Sequence, residues 1–268
     1  MTISPKAAWQ DVEAIRAQKP LVVNVTNYVV MNTTANALLA IGASPAMTNA
    51  VAEMDDIVGI CQALVLNIGT PTPGNMEAMS VGLNAASRLG TPVVMDPVAV
   101  GATRLRREFV ASLLKDRAPS IIRGNASEIL AIAGSTAPSK GADTAHGVHE
   151  AAPAAEELAR RHKCTVCVSG EIDLVTDGDA TWVLTGGDSM MPRVTGLGCT
   201  ASALCGAFAA VNPSPLAATV HAMAVMSAVG EIAAARSEGP GSLQMHFYDV
   251  LYTLTETELT ERMRLEQQ

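Results

Sequence analysis

The stretch Ala63-Leu64-Val65-Leu66-Asn67-Ile68 decides the fold, because it is an almost unbroken apolar run of strand length. A second run, Pro92-Val93-Val94-Met95-Asp96, has the same character. Strands that are apolar on both faces are typical of parallel sheets, since helices cover both faces of such sheets. We therefore expect these two strands in the centre of a parallel sheet.

Similar short apolar runs alternate with longer helical patterns through the first two thirds of the chain. The predicted strands are 21–25, 43–47, 63–68, 92–96, 120–123 and 164–169, and the predicted helices between them are 31–41, 75–89, 104–115 and 147–162. Such alternation is typical of βαβ units. The sequence therefore predicts an α/β protein with a mostly parallel sheet.

The pattern changes after Glu171. Two strand-like segments, 173–176 and 181–184, flank Asp177-Gly178-Asp179, which is typical of a hairpin turn and predicts an antiparallel edge. The remaining third of the chain is predicted to be helical. Because no disordered linker or internal repeat interrupts the 268 residues, we expect a single domain over residues 1–268.

Composition limits the possible partners and the location. Hydrophobic residues make up 49% of the chain and charged residues 16%, and the net charge of −8 argues against sustained contact with nucleic-acid phosphates. The five cysteines are an odd number, and the N-terminal 18 residues lack the apolar core of a signal peptide. We therefore expect reduced thiols, a cytoplasmic protein and no nucleic-acid partner.

Two further patterns have a structural interpretation that we favour. Cys164 and Cys167 form a C-x-x-C, but they lie on a predicted strand, where residues three apart point to opposite faces, so a redox or metal site is disfavoured. Residues 199–230 contain no charged side chain, yet Asn212-Pro213-Ser214-Pro215 divides them. This interruption favours two buried helices over a membrane span.

Polar residues follow most of the predicted strands. In an open parallel sheet, ligands bind outside the carboxyl ends of the strands, so these residues are candidates for a polar crevice. They are Asn24 and Asn27, Asn67 with Gly69 and Thr70, Asp96, Arg123 with Asn125, and Ser169 with Glu171.

A glycine turn, Thr195-Gly196-Leu197-Gly198-Cys199-Thr200, leads directly into an apolar helical run. The N–H groups of Gly196, Leu197, Gly198 and Cys199 can form an anion hole there, because backbone donors at a helix start face outward. Glycine also lets a phosphate approach the backbone closely. The motif alone is equally compatible with a purely structural helix start.

The segment Arg123-Gly124-Asn125-Ala126-Ser127-Glu128 opens another helix. Asn125 and Glu128 have the spacing of a capping box, which is the interpretation that the pattern alone favours. The functional alternative, which is compatible with capping, is that Glu128 holds Mg²⁺ or its waters while Arg123 binds nucleotide phosphates. Asp96 presents the same choice between capping a turn and facing the crevice. Together these groups supply what phosphoryl transfer requires.

The combined motifs resemble the hydroxyethylthiazole kinase family of the ribokinase-like superfamily, over roughly residues 10 to 255. The resemblance rests on the stretches 24–32 (NVTNYVVMN), 42–47 (GASPAM), 66–70 (LNIGT), 96–98 (DPV), 101–103 (GAT), 122–128 (IRGNASE), 169–171 (SGE) and 194–199 (VTGLGC). Two local departures are Ala99-Val100, where a Gly-Ala pair is more usual, and Leu197, where a smaller residue is common.

The resemblance implies a three-layer sandwich with a mostly parallel central sheet, helices on both faces and an antiparallel edge. It implies ATP-dependent phosphorylation of the hydroxyl of 4-methyl-5-(2-hydroxyethyl)thiazole for thiamine biosynthesis or salvage. The implied cofactor is Mg²⁺ and the implied assembly is a homotrimer whose sites lie between subunits. The interruption of residues 199–230 separately leads us to expect no membrane partner.

The resemblance also assigns residues. It implies that Arg123 and Ser169 contact the nucleotide, that Asp96 and Glu128 face the metal and phosphates, and that Met47 and Gly196 contact the thiazole; by pattern alone, Met47 would be a core residue. Cys199 takes the catalytic place that Asp usually holds in the superfamily. Competing interpretations are another ribokinase-like activity, such as a pyrimidine kinase or an ATP-dependent hydrate dehydratase, and a binding protein without turnover.

Overall fold

The computed structural model describes residues 2–134 and 147–268. The strands are β1 (Leu21–Val25), β2 (Ser44–Met47), β3 (Ala63–Asn67), β4 (Val93–Asp96), β5 (Ile121–Asn125), β6 (Thr165–Ser169), β7 (Ile172–Thr176), β8 (Thr181–Thr185) and β9 (Arg264–Gln267). The helices are α1 (Pro5–Gln18), α2 (Met31–Ile41), α3 (Met54–Ile60), α4 (Pro73–Leu89), α5 (Arg104–Asp116), α6 (Ala126–Ile132), α7 (Val148–His162), α8 (Leu197–Ala209), α9 (Pro215–Ala235), α10 (Pro240–Thr253) and α11 (Glu256–Arg262).

All these strands form one sheet in the order β2-β1-β3-β4-β5-β6-β7-β8-β9. The strands from β2 to β6 pair in parallel, whereas β7, β8 and β9 pair antiparallel at the far edge. The mostly parallel sheet with an antiparallel edge is therefore confirmed. β3 and β4, which contain the two apolar runs, are fully buried inside the parallel part.

Two hydrophobic layers cover the sheet, one on each face. Helices α1, α2, α8, α9, α10 and α11 pack on one face, and α3, α4, α5, α6 and α7 pack on the other. Neighbouring strand residues alternate between the layers, as Val22 and Val23 do in β1. The result is the expected three-layer sandwich.

The C-x-x-C pattern and the uncharged stretch 199–230 both have the structural explanations that we favoured. Cys167 packs in the layer of α8 and α9, and Cys164 packs in the opposite layer, so the two thiols lie on opposite faces. Helix α9 is long and apolar enough to cross a membrane, but 89% of its apolar window is buried inside the protein. It therefore serves as a core helix of this fold, beside the equally buried α8.

The prediction of a purely helical final third was wrong, because β9 adds a last strand beside β8. Its residues, Arg264-Leu265-Glu266-Gln267, are mostly exposed. Edge strands commonly carry charged side chains, which discourage pairing with other molecules and also hide the apolar alternation that marks a strand.

Candidate active site

The start of α8 forms one wall of the site. Gly196 is the N-cap residue with φ +85°, a left-handed conformation that side chains other than glycine rarely adopt. A Cβ at this position would lie 2.6 Å from Cγ1 of Val30. Leu197, Gly198 and Cys199 are the first helical residues, and no side chain within residues 2–134 and 147–268 caps their N–H groups. This helix start is therefore suited to an anion.

Arg123 joins this turn to the ends of β5 and β6. Its Nη1 donates to the carbonyl of Gly198 (3.0 Å), and its Nη2 donates to Oγ of Ser169 (2.5 Å). Its Nε is buried without a partner among the described residues. Burial alone would lower the pKa of Arg123, but Asp96 and other acidic neighbours outweigh it and raise the pKa above its usual value. The guanidinium is therefore a permanent cation, and its Nε–H remains available to a ligand.

Asp96 lies at the end of β4 and is 2% exposed. Its Oδ2 accepts hydrogen bonds from Nδ2 of Asn67 (2.7 Å) and Oγ of Ser202 (2.8 Å). Burial raises the pKa of Asp96 to about 7, against the opposing attraction of Arg123. Among the described residues, no hydrogen bond reaches Oδ1, so this oxygen can accept a further ligand.

Glu128 is a capping residue, as its spacing predicted. Its Oε2 accepts from the N–H of Asn125 (2.8 Å), while Oδ1 of Asn125 accepts from the N–H of Glu128 (3.0 Å). Oε1 of Glu128 accepts from the N–H of Ala99 (2.7 Å), which ties α6 to the loop after β4. Each carboxylate oxygen keeps a second lone pair, so capping leaves room for another hydrogen bond.

Cys199 lies in the first turn of α8, where its Sγ accepts a hydrogen bond from Nδ2 of Asn27 (3.5 Å). Burial raises the pKa of its thiol to about 12, and the negative charge of Asp96 adds to this shift. A helix N-terminus usually lowers a thiol pKa, but here desolvation dominates. The thiol is therefore neutral at physiological pH.

Met47 is at the same edge of the sheet as these residues, but it stands apart from their hydrogen-bond network. It ends the edge strand β2, pairs in register with Asn24 of β1, and is partly exposed. Asn24 also stays outside the network, since it is fully buried and its Nδ2 donates to the carbonyl of Val22. The strand ends that converge through hydrogen bonds are those of β1, β3, β4, β5 and β6.

Three side chains that the sequence did not indicate complete the site. Ser202 reaches Asp96 from inside α8, where no local pattern marks it. Arg106 donates to the carbonyls of Ile68 (2.6 Å), Gly69 (2.8 Å) and Val98 (2.7 Å), and so fixes two strand-end loops. Asp173 is a buried acid near Arg123, and burial raises its pKa to about 6.

A mostly parallel sheet with an antiparallel edge, together with an anion-binding helix start beside a buried aspartate and arginine, defines a ribokinase-like protein. Known structures agree, since the pyridoxal kinase of Staphylococcus aureus in complex with AMP-PCP and pyridoxal shares this fold, with a TM-score of 0.65 at 14% identity over 93% of this chain and 98% of that one. The hydroxyethylthiazole kinase structure from Pyrococcus horikoshii OT3 is much more similar, with a TM-score of 0.91 at 37% identity over 98% and 99% of the two chains.

Comparison with known sequences identifies one family within the ribokinase-like class. Residues 12–257 match the Hydroxyethylthiazole kinase family. Hydroxyethylthiazole kinase from Syntrophus aciditrophicus (strain SB) is 52% identical over 99% of this chain and 98% of its own length. The enzyme of that name from Nitratidesulfovibrio vulgaris (strain DSM 19637 / Miyazaki F) is 51% identical over 96% of each. The chain belongs to the hydroxyethylthiazole kinase family, which confirms the resemblance that its motifs indicated.

Proposed function

We propose that this protein transfers the γ-phosphoryl group of ATP to the hydroxyl of 4-methyl-5-(2-hydroxyethyl)thiazole, for thiamine biosynthesis or salvage. Family membership and relatives that are about half identical over nearly their whole length support the activity. The observation that carries the proposal is the α8 start, where uncapped N–H groups lie beside the Arg123 guanidinium. This arrangement suits a transferring phosphoryl group, whose charge must be stabilised.

Arg123 and Ser169 are proposed to bind the nucleotide. The unpartnered Nε of Arg123 supports this role, because a buried donor without an acceptor is costly unless a ligand supplies one. Phosphate oxygens are the acceptors that guanidinium prefers. The N–H groups of Gly196, Leu197, Gly198 and Cys199 would form the anion hole for the transferred group.

The thiazole is proposed to contact Met47 and Gly196. Met47 is partly exposed at the ligand-binding edge of the sheet, and a thioether packs well against a flat, polarisable ring. Gly196 adopts φ +85°, a conformation that glycine takes without strain, and so lets the turn present its backbone to the ring.

Cys199 is proposed to accept or relay the proton of the thiazole hydroxyl. It follows the glycine turn directly, at the place where a base would meet the acceptor alcohol. Its raised pKa leaves only a small fraction of Cys199 as thiolate, the form that can take a proton, in the free protein near neutral pH. Phosphoryl transfer depends mainly on positioning and charge stabilisation, so a sparsely populated base is compatible with turnover.

Asp96 and Glu128 are proposed to hold Mg²⁺. The described residues contain no group of three or more His, Cys, Asp or Glu side chains that could bind a metal alone. Mg²⁺ commonly uses one or two carboxylates together with waters and substrate phosphates, so these two residues fit the ion. Oδ1 of Asp96 is the better direct ligand, while Glu128, already bonded to two N–H groups, suits the metal's waters. The bound ion would neutralise charge on the phosphates.

Three wider features of the proposal concern the whole chain. We propose a single domain over residues 1–268, because helices from both ends of the chain, α1 and α11, pack in the same layer. We propose a cytoplasmic enzyme without a membrane or nucleic-acid partner, and a homotrimer with its sites between subunits. The family resemblance supports the trimer, and the exposed apolar residues beside the site are consistent with it.

The proposal is tested by incubating the protein with ATP, Mg²⁺ and hydroxyethylthiazole and analysing the product by mass spectrometry. We expect one phosphate added to the thiazole and equimolar ADP. A parallel panel containing pyridoxal and a hydroxymethylpyrimidine tests other ribokinase-like activities. Faster phosphorylation of a panel member than of the thiazole, or binding without turnover, would contradict the proposal.

A further inference from the structure

Two buried asparagines connect the strand ends to the glycine turn. Nδ2 of Asn27 donates to Oδ1 of Asn67 (2.8 Å) and to Sγ of Cys199 (3.5 Å). Nδ2 of Asn67 then donates to Oδ2 of Asp96 (2.7 Å). Asn27 is 4% exposed and Asn67 is 2% exposed. A continuous hydrogen-bonded chain therefore runs from Cys199 to Asp96 through two side-chain amides.

The direction of this chain is fixed by backbone donors. Oδ1 of Asn27 accepts from the N–H of Val29 (3.1 Å), and Oδ1 of Asn67 accepts from the N–H of Gly69 (3.0 Å). A backbone N–H can only donate, so neither amide can turn its amino group toward the backbone. Both amino groups must therefore face the reactive side chains, and Sγ of Cys199 must be the acceptor.

Close packing holds the first amide in place. A Cβ at Gly69 would lie 2.6 Å from Nδ2 and 2.7 Å from Cβ of Asn27, so only glycine permits this contact. Arg106 holds the same loop through the carbonyls of Ile68 and Gly69. The Asn27 side chain is thus clamped on one side by the backbone and presents its amino group on the other.

We propose, resting on the proposed function, that Asn27 is a positioning residue for phosphoryl transfer, whose amino group holds the thiolate form of Cys199 where it can take the proton of the acceptor alcohol and become the thiol. Asn27 touches the thiol and acts through it. The hydrogen bond also favours the thiolate over the thiol, since an acceptor that carries negative charge binds a donor more strongly. Nδ2 of Asn67 positions the carboxylate of Asp96 in the same way.

The effect of an isosteric substitution distinguishes a positioning role of Asn27 from a purely structural one. Asn27→Asp keeps the shape of the side chain and the acceptor for Val29, but it replaces the amino group with an oxygen. We expect kcat to fall about 10- to 100-fold, with KM for ATP within about twofold of wild type. Asn27→Ala should have a similar effect on kcat. Asn36→Asp, at an exposed amide paired with Asn32, is the matched control and should leave kcat unchanged.

A double-mutant cycle tests whether Asn27 acts through the thiol. In a Cys199→Ala background, Asn27→Ala should lower kcat less than about threefold, because the partner is already absent. Equal losses in both backgrounds would overturn the proposal, as would an Asn27→Asp variant with wild-type kcat. Thermal unfolding of each variant distinguishes lost folding from lost positioning.

A second readout does not require kinase activity. Alkylation of Cys199 by iodoacetamide, followed by peptide mass analysis, should be at least about threefold slower in Asn27→Asp than in wild type or Asn36→Asp, because the thiolate loses its donor. An unchanged alkylation rate would overturn the inference even if thiazole phosphorylation is found. Slower alkylation in a protein that phosphorylates no thiazole would contradict only the proposed function.

Discussion

Burial raises the pKa of both acidic groups that the asparagine chain connects, but it leaves them in different protonation states above neutral pH. It raises the pKa of Asp96 to about 7 and that of Cys199 to about 12, because both lose water around their charged forms. Near neutral pH the carboxylate is therefore poised to change its charge, while the thiol stays protonated. Asp96 can therefore supply negative charge, whereas Cys199 can accept a proton only through its small thiolate fraction.

The proton-acceptor role of Cys199 predicts a defined pH dependence. Above pH 8 Asp96 is ionised, so a further rise in kcat would report the growing thiolate fraction below its pKa of about 12. We expect wild-type kcat to rise between pH 8 and 9.5. Cys199→Ala should lower kcat about 10- to 100-fold and abolish the rise. Cys61→Ala, at a buried thiol outside the site, is the control. Unchanged kcat in Cys199→Ala at substrate saturation would refute the role.

The raised pKa of Asp96 predicts a cost in stability. Since the folded protein prefers the neutral carboxyl, this stabilising contribution is complete below about pH 4 and is lost as the pH rises through about 7. Asp96→Asn should therefore raise Tm by about 5 °C at pH 8.5 and by roughly a third as much at pH 5, while kcat/KM falls at least about 100-fold. Calorimetry at both pH values measures the difference. Asp55→Asn, at an exposed ion pair with Arg88, should show no such pH-dependent gain, and equal gains in both variants would contradict the explanation.

At the residue scale, the sequence predicts the polar strand ends but not their pairing. Asn27, Asn67 and Asp96 each end an apolar run, and the parallel fold brings them to one edge. Ser202 lies within an apolar helix, so no local pattern connects it with a carboxylate 106 positions away. Such long-range contacts follow from how α8 packs on the sheet, which a single sequence does not reveal.

At the scale of elements, the strands of the parallel sheet were predictable because burial on both faces leaves an apolar run. The exceptions are elements with weaker patterns. The short helix α3 lies where no helix was predicted, and the exposed strand β9 lacks an apolar run. Both are held by tertiary contacts: α3 packs on α4, and β9 pairs with β8. Tertiary context can override weak local propensity.

The turn before α8 depends on glycine at position 196. Gly196→Ala combines a left-handed φ of +85° with a Cβ 2.6 Å from Val30, so we expect a loss of about 1–3 kcal/mol in the free energy of unfolding. Denaturant titration measures this loss, and phosphoryl transfer should fall with it. Gly59→Ala, which meets no atom within 4 Å in α3, should be neutral or slightly stabilising. A fully stable Gly196→Ala protein would show that the turn tolerates a side chain.

In the loop after β4, unlike the turn before α8, we expect glycine to be more stable than the residue present. Ala99 adopts φ +53°, and its N–H donates to Oε1 of Glu128. Left-handed alanine costs about 1–2 kcal/mol, and the extra chain entropy of an unfolded glycine offsets about half of this. We expect Ala99→Gly to raise Tm by about 1–2 °C. Ala102→Gly, in the same loop without positive φ, should lower Tm, and a similar drop in both variants would contradict this account.

At the scale of the whole molecule, the chain leaves apolar side chains exposed next to the site. Tyr28 is 55% exposed and Val29 is 62% exposed, and both directly follow Asn27. Their backbone N–H groups bond to Thr70 and to Asn27, so their place is fixed by the site itself. Burial of these side chains against a second subunit would stabilise an assembly and would also exclude water from the crevice.

The proposed trimer therefore predicts that assembly and activity depend on the same surface. Light scattering after gel filtration should give a mass three times that of the 27.7-kDa chain. Val29→Glu places a charge on this surface, so we expect dissociation and a loss of thiazole phosphorylation of at least about tenfold, with unchanged far-ultraviolet circular dichroism.

Ile60→Glu is the matched control, because Ile60 is 66% exposed but ends α3 at the opposite edge of the sheet, before β3 begins. It should remain trimeric and active. A monomeric wild-type protein would contradict the assembly, and a dissociated Val29→Glu protein with full activity would show that each subunit contains a complete site.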